Sequence, residues 1–238
     1  DHYFRLMASM RILRMPIPMA FTPEFFVDEA NRLAEEVAIT DGRLRLQVVR
    51  KSEGKYTPDD NNECVWWMEL EELSSQDYTW TSKGLKVDLF KDHYIQPGLL
   101  STLKSSNALP YVLAGIFAKE NGFDAMLLVN DNKMLVEANA ANVFVLKDNI
   151  LKTAPLEDGP LRGVFRKNLI GWAKEIGLEI KEESINPFEL KKADEIWLTN
   201  TISGVQWVEK YRKRTYKGDK AKELIELLQR KLNVLGAL

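Results

Sequence analysis

Five stretches of this sequence hold side chains whose types could do chemistry. Lys104 lies in Leu100-Ser101-Thr102-Leu103-Lys104-Ser105-Ser106-Asn107, where a linker runs into an expected helix. An amine near a helix N-terminus and partly desolvated has its charged form disfavoured, which frees it as a nucleophile toward an aldehyde. Taken alone, a solvated first-turn lysine is the plainer reading. Glu137 follows Leu135 on what alternation makes the same face of a short apolar strand. A carboxylate buried there is costly unless something positive meets it, and a protonated pyridinium nitrogen would do so. A glutamate at a strand end in water is the competing reading.

Leu161-Arg162-Gly163-Val164-Phe165-Arg166 opens a helix, and free backbone N–H groups at a helix start suit a phosphate. Thr199-Asn200-Thr201-Ile202-Ser203-Gly204 is a hydroxyl- and glycine-rich loop that could also grip phosphate, or be an ordinary polar turn. Arg50 shares the parity of Leu44, Leu46 and Val48, so it points with the apolar face and could pair with a substrate carboxylate. The basic run Lys210 to Lys217 reads as a solvated turn rather than a nucleic-acid contact.

Composition narrows the choices. The chain has 238 residues and a formal net charge of −2, so no global basic field favours nucleic acid or an anionic membrane. One cysteine, Cys64, and two histidines, His2 and His93, leave too few ligands for a Cys/His metal site or a Ser-His-Asp triad. The lone thiol points to a reducing compartment, and no apolar run is long enough to span a bilayer. A cytoplasmic, metal-free protein is expected.

The elements that must position these residues form an α+β chain. Helices are expected over 2–14 and 22–39, the latter with Thr22 as N-cap, and strands over 44–50, 65–70 and 85–90. A polar loop is expected over 52–62. The stretch 95–102, with Pro97 and Gly98, reads as a linker. The expected domains are therefore a small one, 1–94, and a large one, 103–238. In the latter, helices are expected over 105–120, 163–176 and 220–232, the last with Asp219 as N-cap. Leu109, Val112, Leu113, Ile116 and Phe117 should form the core face of the first. The intervening strands should be mostly antiparallel.

Taken together, Arg5, Lys104, Glu137, Gly163-Val164 and Thr201 resemble, in order, the class IV aminotransferase family. Its members include branched-chain and D-amino-acid aminotransferases and aminodeoxychorismate lyase. The resemblance begins at His2-Tyr3-Phe4-Arg5-Leu6 and includes Glu137 through Phe144 and Leu161 through Arg166. It implies a two-domain, fold-type-IV enzyme, D-amino-acid aminotransferase-like. Family members carry further strands before that first helix, so the N-terminal part of the small domain is expected to be missing here.

The resemblance also implies pyridoxal 5′-phosphate (PLP) as cofactor, held as a Schiff base on Lys104. Arg5, the Val164 and Phe165 amides, Thr201 and the Ile202 amide would bind its phosphate around Gly163. Leu161 would back the ring, and Glu137 would meet its nitrogen. The implied activity is amino transfer between an amino acid and a 2-oxo acid. The alternatives are lyase chemistry, releasing 4-aminobenzoate and pyruvate, or a cofactor-free scaffold. Departures bear on that choice: Lys51 stands where the family has glycine after Arg50, and Leu109 where branched-chain enzymes have tyrosine. The family implies a homodimer.

Overall fold

The structure, a computed structural model, describes residues 1–58, 63–73 and 78–236. The chain separates into two compact units, residues 1–76 and 77–238.

In the first unit, helix α1 (His2–Ile12) and helix α2 (Pro23–Val37) pack on a two-stranded antiparallel sheet of β1 (Gly42–Lys51) and β2 (Glu63–Glu72). Thr22 caps α2, its Oγ1 accepting from the Phe25 amide at 3.2 Å, and Pro23 fills the first turn, where a missing N–H costs nothing. The core gathers Met7, Met10 and Phe21 with Phe25, Val48 and Trp66. Helix α1 buries Met7 and Met10, the face that meets Phe21 and the sheet. The expected loop over 52–62 is strand-free from 52 to 58; residues 59–62 lie outside the described residues.

The second unit contains β3 (Leu85–Leu89), α3 (Leu109–Glu120), β4 (Ala125–Val129), β5 (Leu135–Ala138) and β6 (Ala141–Lys147). It continues with β7 (Ile150–Thr153), α4 (Val164–Glu175), β8 (Glu179–Glu182), β9 (Glu195–Asn200), β10 (Gly204–Tyr211), β11 (Arg214–Thr215) and α5 (Asp219–Gly236). Strand β9 pairs with both β6 and β10, so β10, β3, β4, β5, β6 and β9 close into a ring, with β7–β8 and β11 attached. Most pairings are antiparallel; β3 runs parallel to β4 and β10, and β7 to β8. Apolar side chains from every ring strand fill the interior, among them Val87, Leu127, Leu135, Val143, Ile196 and Val208. The outer face is covered by α3 over Met126, Leu128 and Val136, and by α4 and α5 over Phe144 and Trp197.

Three expectations change. The division falls at residues 76/77, not at 95–102: β3 lies hydrogen-bonded between β4 and β10, and a strand inside the ring cannot belong to the small domain. Helix α3 starts at Leu109, not 105, because Pro110 can only be accommodated in a helix's first turn. Helix α5 begins at Asp219, and its first amides are taken by Glu195 of β9, whose carboxylate accepts from Lys220 N at 2.7 Å and Ala221 N at 3.0 Å.

Among the described residues, no helix is long and apolar enough to cross a membrane.

Candidate functional site

The outer face of the ring, between α3 and the start of α4, holds a buried carboxyl. Glu137 is 3% exposed, in a strand whose four residues are all buried. The pairing of β4 with β5 shifts between Leu128 and Val129: Leu128 faces Glu137, Val129 faces Leu135, and Val136 is extra. This bulge breaks the alternation. Leu135 packs inside the ring, whereas Val136 packs on the α3 side, and Glu137 turns the same way to reach α3. The expectation that Glu137 shares the face of Leu135 is overturned by that one residue.

Three donors fix the carboxyl. Tyr111 Oη of α3 donates to Oε1 at 2.7 Å, and Asn142 Nδ2 of β6 donates to Oε2 at 3.0 Å. The Leu161 amide donates to both oxygens at 3.1 Å. Burial nevertheless pushes the carboxyl up to about 7, while the Tyr111 and Leu161 bonds and the charges of Lys104 and Arg166 pull it down. Burial is also the main cause that raises the Tyr111 phenol, with the Glu137 charge second. A carboxyl held this firmly yet still hard to ionise lacks a sufficient cationic partner, and that is where a protonated ring nitrogen would fit.

The donors are positioned by local constraints. Asn142 Nδ2 also donates to the Leu161 carbonyl at 2.9 Å, tying β6 to the segment before α4. A Cβ on Gly163 would stand 2.1 Å from Asn142 Oδ1, so no side chain fits there. Gly163 is the N-cap of α4 and offers no side-chain cap to its first turn. The positive end of α4 thus opens next to the Glu137 cluster. In register across the sheet, Glu137 faces Asn142, and Asn142 faces Thr199. The Thr199 hydroxyl is buried without a hydrogen-bond partner among the described residues. The cluster therefore fits a cofactor having a protonatable ring nitrogen and a phosphate: a carboxyl for the first, a helix start for the second, and an unsatisfied hydroxyl in the same row.

Lys104 lies on the irregular segment before α3, outside the helix, with an exposed side chain. The expected helix-start desolvation is therefore absent, but Lys104 stands near enough to Glu137 for its charge to lower that carboxyl's pKa. The segment is held by Thr102, whose carbonyl accepts from the Arg162 amide at 3.0 Å and whose Oγ1 donates to the Leu99 carbonyl at 2.8 Å. Lys104, Glu137, Leu161, Gly163, Val164 and Phe165 are thus brought to one neighbourhood of the second unit.

Thr201 and Ile202 lie in the loop from β9 to β10. The Thr201 carbonyl accepts from Tyr78 Oη at 2.9 Å. The Ile202 amide donates to Asn200 Oδ1 at 2.9 Å, so a phosphate would compete with Asn200 for it. Arg5 and Arg50 belong to the first unit. Burial lowers the pKa of Arg5. Arg50 keeps its expected parity on the side of Val48, and its Nη2 donates to the Leu13 and Arg14 carbonyls at 2.7 and 2.8 Å. A role toward a substrate carboxylate would compete with those two bonds.

Sequence reasoning missed Tyr111, Asn142 and Thr102. Asn142 lay within the motif that carried the resemblance, and Tyr111 stands two places beyond Leu109.

The Amino-transferase class IV family model matches residues 1–211. A protein of Methanocaldococcus jannaschii with a provisional branched-chain-amino-acid aminotransferase name is 34% identical over 215 residues, covering 86% of this chain and 70% of that protein. The branched-chain amino acid aminotransferase of Thermobaculum terrenum in its PLP form superposes with a TM-score of 0.84 at 20% identity, covering 98% of this chain and 76% of the other. The 4-amino-4-deoxychorismate lyase of Pseudomonas aeruginosa gives 0.80 at 22%, covering 97% and 83%.

Proposed function

Because this chain belongs to the amino-transferase class IV family, we propose that it moves an amino group between an amino acid and a 2-oxo acid with PLP as cofactor. The observation that carries the reading is Glu137: a buried carboxyl held by three donors and still pushed up to about 7. When bound, PLP supplies an aldehyde for amine capture and a ring that takes up the charge left when a proton leaves the substrate carbon.

In this reading the chain's own residues do the following. Glu137 holds the ring nitrogen in its protonated form, and Tyr111, Asn142 and the Leu161 amide keep the carboxyl from rotating away. Lys104 is the amine that would hold the cofactor, and its amine would take and return the proton at the substrate carbon. Leu161 would back the ring, on the strength of the family resemblance. The first amides of α4, Val164 and Phe165, hold the phosphate beside Gly163, where a side chain would intrude. Thr201 and Ile202 add a second grip, and Arg5 a charge, on the strength of the family resemblance. Arg50 is proposed for the substrate carboxylate on the same basis. The cytoplasm is the proposed compartment, where Cys64 stays a thiol. A homodimer is also proposed, supported by the apolar stripe of α3: Leu109, Val112 and Ile116 are 64, 52 and 49% exposed.

The test uses the purified full-length protein. It should be yellow, lose its visible absorbance with borohydride, and then carry the cofactor's added mass on the peptide containing Lys104. Lys104→Ala should remove that label and lower turnover by about 10²-fold or more. A protein that takes up no PLP would sink the reading. Pyruvate and 4-aminobenzoate from aminodeoxychorismate, with no amino transfer to 2-oxoglutarate, would replace the transferase with the lyase.

A further inference from the structure

The ring of strands has a mouth on the side where β3, β4 and β10 end. Because β3 runs parallel to both neighbours, Leu89, Val129 and Tyr211 come to the same end. There they line a cavity of about 290 Å³. No residue of the Glu137 cluster lines it. Lys91, Lys133, Lys191 and Arg212 do, and among the described residues no carboxylate does. Arg212 pairs with Asp88 at 3.2 Å, but no ion pair joins Lys91, Lys133 or Lys191 to a carboxylate among the described residues. Four cations converge here on a protein whose net charge is −2.

Lys133 and Arg212 have φ of 63° and 56°, the left-handed region that Gly or Asn occupies with least strain. Both sit in hairpin turns, as do the left-handed Asp148 and Asn149 of a turn that does not line the cavity. The Lys133 turn is rigidly founded: buried Asn130 accepts from Met134 N at 2.9 Å and donates to the Asp158 carbonyl at 3.2 Å. The Lys133 ammonium stands 3.4 Å from the Tyr94 ring centroid, and the Lys191 ammonium 5.6 Å from that of Phe188. Aromatic faces thus accompany the cations at the mouth.

We propose that this mouth is a second binding site, separate from the Glu137 cluster, for a small organic anion: one carboxylate or phosphate group on an apolar body of about one ring. The lysines and Arg212 take the anionic group, while Tyr94, Phe188 and Tyr211 take the body. The basic run from Lys210 to Lys217 thereby gains a role in its Arg212, which the amino-transfer chemistry leaves unused. The site does not depend on the PLP reading.

Calorimetric titration of the full-length protein with benzoate and phenyl phosphate tests it, with benzamide as the uncharged control. At least one anion should bind saturably, about tenfold or more tightly than benzamide, and more weakly as salt is added. Lys133→Gly should lower that affinity about tenfold without lowering the melting temperature, since it removes a cation and relaxes the left-handed turn. Combining Lys133→Glu with Lys191→Glu should abolish binding. The proposal is overturned if neither anion saturates up to about 10 mM, if benzamide binds as tightly, or if the double variant binds unchanged.

Discussion

At the scale of single residues, the site turns on the proton balance of Glu137. Its folded pKa is about 7 against an ordinary 4.5, burial being the main cause. The folded state therefore keeps a proton that the unfolded chain releases between those values. The stability this group contributes is fully present below about pH 4.5 and is lost as pH rises through 7. Measured by urea unfolding of cofactor-free protein, wild type should lose up to about 3 kcal/mol relative to Glu137→Gln across that window. A pH-independent difference would mean that the carboxyl is solvated. Glu137 could be picked out from the sequence because a charged residue in a short apolar strand demands a reason. Tyr111 could not, because its role depends on a helix face meeting a strand 26 residues away.

Elements show where periodicity misleads. Of the five residues expected on the core face of α3, Leu113 and Phe117 do turn inward, with Ala114 and Ala118, whereas Leu109, Val112 and Ile116 are exposed. A helix that is apolar nearly all round offers no pattern to choose by. In α5 the local signal, Asp219, was passed over for a distant one: Glu195 serves its two first amides and also accepts from Trp197 Nε1 at 2.7 Å. Glu195→Ala should therefore lower unfolding free energy by about 2–3 kcal/mol in denaturant titration, and Glu195→Gln, which keeps an acceptor oxygen, by less. Equal losses would show that the three bonds do not carry the effect.

For the whole molecule, the class of fold was legible and the domain boundary was not. Pro97 and Gly98 look like a linker, but they follow β3, which the ring claims through parallel pairing on both edges. Parallel partners are distant in sequence and leave no local mark. The exposed stripe of α3 belongs to this scale, since a second copy would cover it. Sedimentation should show a dimer for wild type and a monomer for Ile116→Glu with unchanged circular dichroism. A monomeric wild type would remove the stripe's proposed purpose.

The bulge at Val136 has a consequence for how this strand can change over generations. An ordinary buried strand cannot lose a codon without turning every later side chain to the opposite face. Here Val136 is already unmatched, with Leu128 opposite Glu137 and Val129 opposite Leu135. Its loss would restore a regular ladder while leaving Glu137 outward and Leu135 inward. The strand thus carries a spare letter immediately before its most constrained one, and a lineage could drop that valine, at the cost of some packing under α3, without misdirecting the carboxyl.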